Sequence, residues 1–411
     1  MRRNISGKFA QRALRGMSLV ELLIAMVIGM FVSLAIFGVL AASEGRKRTT
    51  TSVSDINQAG SYAMYAMDKL IRNAGAGFSY GVTTNPYGCP IFAQNGGGQI
   101  LPRSSGLPAP FATVNTGAAN RFGLYPLLVI PNGTTSSMSG QPSDALVVMS
   151  GNSGTSTVPV PFIGTTGPTS ASVSLQYSQG ISANDILLLT DQQTPGSSDP
   201  LLSCMITQVS AVNGTLVSLA GTYYSPTIGS ASLTAMTAKG TAIDLGNIVG
   251  GNAPSFNVIG VGDSNILYSY DLLQTTNTPL TALAEGVFEM YALYGVDTSN
   301  PADNIIDTWV SPRTTTGEFA WSSLTAGTDA AALSLAKIQA VRIGLIMRTS
   351  LPEKTVVAPA SLTVFSGFTD ASSASLAITR TLSGTEQNYR YRVVESTIPL
   401  RNLGMSRKAT P

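Results

Sequence analysis

The sequence predicts an α+β protein: a long N-terminal α-helix followed by a β-rich region. Three observations predict it. A run without charge from Leu22 to Ala42 is followed by an apolar stripe at helical spacing as far as Ala74. From Phe78 onward the pattern changes to short apolar runs between Gly, Ser, Pro and Asn. The last part of the chain holds two stretches that alternate apolar with polar residues, the period of a strand with one covered face.

Residues 1–16 hold Arg2, Arg3, Lys8, Arg12 and Arg15 and no acid. The apolar run behind them is long enough to cross a bilayer. Glu44, Arg46, Lys47 and Arg48 follow it with fewer net positive charges than the leader. The positive-inside bias therefore predicts a cytoplasmic N-terminus, with the rest of the chain across the membrane. A cleavable secretory signal has a much shorter apolar region, and a plain signal anchor explains the length but not Glu21. That residue is the only ionisable one between Met17 and Ser43. A carboxylate in hydrocarbon costs on the order of a few kcal/mol.

The helix continues beyond the apolar run. Val53, Ile56, Gly60, Ala63, Met67, Leu70 and Ala74 recur at steps of three and four, while Asp55, Asn57, Asp68, Lys69 and Arg72 fall largely off that stripe. Gly75 and Gly77 supply a stop. Residues 17–73 would make one helix of roughly 85 Å, apolar all round in its first half and amphipathic in its second.

Asp144–Met149 and Asp185–Thr190 read as buried strands, and Ile206–Val212, Asn213-Gly214 and Thr215–Leu219 as a hairpin. Asn265–Leu273 is a further strand. Asn95-Gly96-Gly97-Gly98 and Thr194-Pro195-Gly196-Ser197-Ser198 read as surface loops. Leu283–Leu293 fits a short helix or a strand. Lys337–Arg348 alternates, with Val341, Ile343, Leu345 and Met347 on one face. Tyr389–Ile398 places Arg390 and Arg392 opposite Tyr389, Tyr391 and Val393, and Pro399 and Gly404 end it.

Composition excludes much chemistry. Charged residues are 11% of the 411, and histidine is absent. Gly262-Asp263-Ser264 therefore has no imidazole to activate its serine. Gly75, Gly77 and Gly81 follow a helix rather than a strand, so they make no dinucleotide fingerprint. Two distant cysteines are a poor zinc set. The formal charge of +2 includes five from the leader, which leaves the remainder at −3, with no basic surface for nucleic acid. No catalytic, cofactor or metal site follows, and an enzyme is not expected. Cys89 and Cys204, an even count in an exported region, favour a disulfide, two unrelated buried thiols being the alternative.

Gly16-Met17-Ser18-Leu19-Val20-Glu21 after a basic leader resembles the class III signal of type IV pilins and type II secretion pseudopilins. The resemblance implies cleavage between Gly16 and Met17 by prepilin peptidase and N-methylation of Met17. Family members usually carry Phe at that first mature position. It also implies a role for Glu21: its carboxylate pairs with the terminal ammonium of a neighbouring subunit, which fixes axial register. Leu283 to Gly404, with LAEGVFEMYALYGVDT, DTWV, IQAVRIGLIMRTS and YRVVESTIPLRNLG, is similar to PilW-type minor pilins.

The resemblance thus implies a pilin-like fold, its long helix packed on an antiparallel β-sheet. The chain would divide into a leader at 1–16, a membrane and filament-core half-helix at 17–43 and an amphipathic half-helix at 44–75. A β-rich insertion would occupy 76–280 and a C-terminal pilin-like sheet 281–411. The function it implies is that of a minor type IV pilin in the inner membrane and then the pilus. Prepilin peptidase, the major pilin and other minor pilins in a priming subcomplex would be its partners. A minor pseudopilin of type II secretion and a membrane-tethered periplasmic binding or adhesion protein are the alternatives. Related minor pilins sometimes carry an oxygen-rich calcium loop where Asp297, Asn300, Asp303 and Asp307 stand. Here Pro301 and the lack of a turn glycine favour a solvated loop with local Asx turns.

Overall fold

The computed structural model describes residues 18–78, 86–103, 106–114, 122–135, 140–154, 158–191, 202–275 and 280–403. The chain divides into two compact units, residues 1–54 and 55–411. Helix α1 (Leu19–Arg72) begins in the first. Ser18 caps it: its hydroxyl accepts from the Val20 N–H at 3.3 Å and its carbonyl accepts from Leu22 at 3.0 Å. The hydroxyls of Ser33 and Ser43 donate to carbonyls of Gly29 and Leu40 one turn back, so the apolar run satisfies its polar groups internally.

The second unit holds the rest of α1 and the sheets. After the helix, β1 (Ile91–Asn95) and β2 (Gly98–Leu101) form a hairpin, and β3 (Leu127–Thr135) pairs antiparallel with β4 (Pro142–Ser150). Next come β5 (Val160–Pro161), β6 (Ser172–Ser174), β7 (Asp185–Thr190), β8 (Cys204–Asn213) and β9 (Leu216–Leu219). A two-strand hairpin, β10 (Thr227–Ile228) with β11 (Ala231–Ser232), precedes β12 (Thr241–Asn247). An eight-stranded sheet follows the order β2-β1-β8-β7-β12-β5, with β9 on β8 and β6 on β9. Within it β1 and β8 run parallel. Strands β13 (Ser255–Val261), β14 (Ile266–Asp271) and β15 (Thr281–Glu285) complete a five-stranded antiparallel sheet ordered β15-β14-β13-β4-β3.

The remaining strands are β16 (Val287–Val296), β17 (Thr308–Val310) and β18 (Ile338–Arg348), then the hairpin β19 (Ser361–Val364) with β20 (Ile378–Thr381), and last β21 (Tyr391–Pro399). They form an antiparallel sheet ordered β17-β16-β18-β21, with β19 and β20 paired separately. Between β17 and β18 lie the short helices α2 (Trp321–Leu324) and α3 (Asp329–Ala336).

Residues 55–72 of α1 bury Ile56, Gly60, Ala63, Met64, Met67 and Ile71. They pack on β18 and β21. A Cβ on Gly60 would stand 3.1 Å from Val394 Cγ2 and 3.2 Å from Met347 Cγ, so this close helix-to-sheet approach favours glycine. The Arg392 guanidinium donates to Asn57 Oδ1, and Asn402 Nδ2 donates to the Ala74 carbonyl at 3.0 Å. Past the helix, Gly75 (φ 75°) and Gly77 (φ 85°) take left-handed conformations, and the Gly75 N–H donates to Met149 O at 2.8 Å. The stop thus also ties the helix to β4.

Alternation along the strands divides the interior into three cores. Ile186 and Leu188 of β7 join the core beneath α1, while Leu187 and Leu189 join a second core with Phe92, Val160 and Met205. That is why β7 reads as an unbroken apolar run. On β18, Val341, Ile343, Leu345 and Met347 face the main core. Ile346 faces the third, beneath β19 and β20, with Phe288, Val364 and Phe365.

Several sequence expectations are refined. Leu283–Leu293 is strand, split between β15 and β16 by Gly286 at φ 76°. The hairpin after β8 turns on Gly214 (φ 61°) and Thr215, because Asn213 still pairs with Leu216. Gly96 and Gly97 are the turn of the β1–β2 hairpin, in which Asn95 pairs with Gly98, rather than a loose excursion. The loop at 194–198 and residue Gly404 lie outside the described residues.

Candidate functional site

The first half of α1 is an exposed apolar surface. Leu19 is 78% exposed, Phe31 72% and Phe37 70%. Mean hydropathy reaches 2.7 in this helix, which alone among the described residues is long and apolar enough to cross a membrane. Water is a poor solvent for such a face; hydrocarbon or other apolar helices are good ones. Glu21 sits in its first turn, exposed, where a negative charge faces the positive end of the helix dipole. Gly16 and Met17 lie outside the described residues.

Sequence reasoning missed the polar joint between β4 and β16. Strand β17 covers β16 only over Tyr294–Val296, so the same edge is bare at Met290 and Ala292. Side chains of β4 complete it. The Ser143 hydroxyl accepts from Met290 N–H at 2.8 Å and donates to Met290 O at 3.0 Å. Asp144 Oδ2 accepts from Ala292 N–H at 3.0 Å. Its Oδ1 accepts from Arg313 Nη2 at 2.6 Å and Asn132 N–H at 3.2 Å. Nearby, the Tyr294 hydroxyl accepts from Val129 N–H at 2.6 Å.

A second buried pair stands across the sheet. Glu289 accepts from Arg380 Nε at 2.7 Å and from the Tyr291 hydroxyl at 2.6 Å, and Arg380 reaches Glu386 at 2.7 Å. Burial raises the Glu289 carboxyl above its ordinary range. Removing one partner from such pairs leaves a buried charge and is strongly destabilising. These groups tie the strands together, and Asn132 and Arg313 also line an open cavity of about 410 Å³ with Trp321 and Thr315. Glu289 within an otherwise apolar strand was the one signal in the sequence. Arg313 lies 169 residues from Asp144 and gave none.

Asp144 carries a pH signature. Burial pushes its carboxyl from 3.8 up to about 6, against the pull of Arg313 and two backbone N–H donors. The folded chain therefore holds this proton more tightly than the unfolded one. The resulting stability is fully present below the ordinary value and is lost as pH rises through about 6. Asp144→Asn should remove that slope. The unfolding free energy of wild type relative to the variant should fall by roughly 2 kcal/mol between pH 4 and pH 7. Denaturant titrations of both proteins at the two pH values measure it; parallel pH profiles would show that the carboxyl titrates normally.

In the loop after β16 the acids are occupied locally. Asp297 accepts from Ser299 and Asn304 N–H at 2.9 and 2.8 Å, and Asp303 from Ile305 N–H at 2.9 Å. Asp307 Oδ2 accepts from the Thr298 N–H at 2.7 Å and from the Thr298 and Ser299 hydroxyls. These bonds hold its pKa below the ordinary range. They are Asx-type turns, and no metal-ligating cluster of three such residues occurs among the described residues. Asp263-Ser264-Asn265 is the turn joining β13 to β14, with Ser264 at φ 60° and Asn265 at φ 57°. Cys89 and Cys204 are bonded, with Cα atoms 5.9 Å apart.

Residues 259–402 match the family model of PilW, the type IV pilus-assembly protein W. The matched stretch runs from β13 through β21 and includes the whole sheet on which α1 packs. Comparison with curated proteins and with solved structures gave no match.

Proposed function

We propose that this chain is a minor type IV pilin: a subunit assembled in low copy that helps initiate the pilus together with other minor pilins and the major pilin. The PilW match carries the reading. It falls on the sheet that holds the amphipathic half of α1, while the other half of that helix is bare and apolar. The chain would sit in the inner membrane with its N-terminus cytoplasmic and its sheets periplasmic, and would then move into the filament. Prepilin peptidase would cleave between Gly16 and Met17, and Met17 would be methylated. The new ammonium would keep its charge after methylation, which leaves Glu21 of a neighbouring subunit a partner. Residues 76–280 would be a β-rich insertion that includes the eight-stranded sheet.

The test is processing. A strain with prepilin peptidase should yield a chain beginning at Met17, and one without it the full precursor. Mass spectrometry of the membrane fraction reads the terminus. Gly16→Val should leave essentially all protein as precursor, still inserted, because the apolar helix is unchanged. A terminus at Ser43, or an uncut chain in the presence of the peptidase, would end the pilin reading.

A further inference from the structure

We propose that the outer edge of β21 is a strand-addition site for an extended, acidic segment of a neighbouring filament subunit. The inference rests on the reading of the chain as a pilus subunit, because the partner is taken from the same assembly.

Register fixes which groups are free. Thr349 N–H donates to Arg390 O, and Leu400 N–H donates to Gln339 O, at 3.0 and 2.8 Å. Both bonds belong to the β18–β21 ladder, which runs without a bulge from Arg348↔Tyr391 to Ala340↔Pro399. Antiparallel pairs alternate, so the even-numbered residues of β21 bond inward to β18. Tyr391, Val393, Glu395 and Thr397 then point their N–H and C=O groups outward, where no partner strand lies among the described residues.

Folded proteins usually blunt such an edge with a bulge, charged side chains, a proline or a cover. Among the described residues β21 has no bulge and no proline before its last residue, Pro399, and of its two charged side chains Glu395 is engaged with Arg342 and the Phe365 N–H. The opposite edge of this sheet is managed, by the three-residue β17 and by the Ser143 and Asp144 side chains. The open edge also has a charge preference. Arg390 pairs with Glu353 and Arg342 with Glu395, but exposed Arg392 makes no ion pair among the described residues. It reaches only Asn57 of α1. A carboxylate beside the paired position of an added strand would complete it. The edge is thus continuous with the helix that the proposed assembly uses, and strand addition supplies the affinity through main-chain bonds.

The experiment uses the full-length chain in pilus-producing cells, with a benzophenone amino acid at Arg392 or Thr397. Positions Ser322 and Phe31 serve as a surface control and a helix control. Irradiation should give adducts at Arg392 and Thr397, and none at Ser322. Peptide mapping should place the adducts on an extended acidic stretch of another pilus subunit. Thr397→Pro removes one outward N–H; Thr397→Val removes the same hydroxyl contact with Arg342 but keeps the N–H. The proline variant should lower the Arg392 adduct by up to roughly tenfold, the valine variant little. Adducts to a second copy of this chain, or equal yields in the two variants, would overturn the proposal. Adducts at Phe31 but not at the edge would overturn it while sparing the pilin reading. Silence at both would sink both.

Discussion

Replacing Cys89 and Cys204 together with alanine should lower the unfolding free energy of the exported chain by roughly 4 to 5 kcal/mol on the loop-entropy estimate. The bond closes a separation of 115 residues, a long loop to leave open in the unfolded chain. Its position adds to the effect. Cys204 is the first residue of β8 and pairs in register with Ile91 of β1. That parallel contact spans two residue pairs, Ile91↔Cys204 and Phe92↔Met205, too few to hold two strands by themselves. Both cysteines are buried in the main core, so the substitution also disturbs the place where the eight-stranded sheet meets it. The midpoint of thermal unfolding should fall on the order of 10 °C. Native wild-type protein should show no thiol to an alkylating reagent without reductant. Ready labelling of both sulfurs, or an unchanged midpoint in the double variant, would remove the bridge from the account.

What could be read in advance follows the range of the interactions. The helix was legible because its signals are local: charge-free residues, then a stripe at steps of three and four, then Gly75 and Gly77. The structure extends the stripe to Met64 and Ile71, which lie on the same face one step beside it. Strands β4, β7, β8 and β18 were legible because their apolar runs are bounded by turn residues. Leu283–Leu293 stayed ambiguous because both its faces are covered, which erases the period-two signal. The division into three cores was not legible, since alternate residues of one strand enter different cores and only distant pairings say which. The Asp144–Arg313 joint is of that kind. So is the free edge of β21, which depends on what fails to pair with it. The hexapeptide at 16–21 is legible only as a signal for an enzyme to read. The proposed cleavage point, between Gly16 and Met17, lies outside the described residues.

Glu21→Ala should separate processing from assembly. The side chain lies beyond the bond between Gly16 and Met17, so cleavage should continue at close to the wild-type rate. Insertion should be at least as efficient, because the change removes the one ionisable group of the apolar segment. The loss should fall on the filament. Glu21 is exposed in the first turn of α1, within helix dipole range of its own N-terminus but without a cation beside it among the described residues. In a bundle of apolar helices an unpaired carboxylate is penalised, and one beside a neighbour's terminal ammonium is compensated. In the proposed filament such a pair would select one axial register among the many that apolar surfaces would tolerate. Without it the helix would still partition into a membrane but would have no preferred height against its neighbour. Immunoblots of sheared pili and of membranes should show the variant depleted at least several-fold from the pili, with membrane levels little changed. Glu21→Asp keeps the charge on a shorter arm and should recover part of the incorporation; Glu21→Gln should not. Equal incorporation of wild type and the alanine variant would leave the helix as a membrane tether and strip Glu21 of its part in assembly.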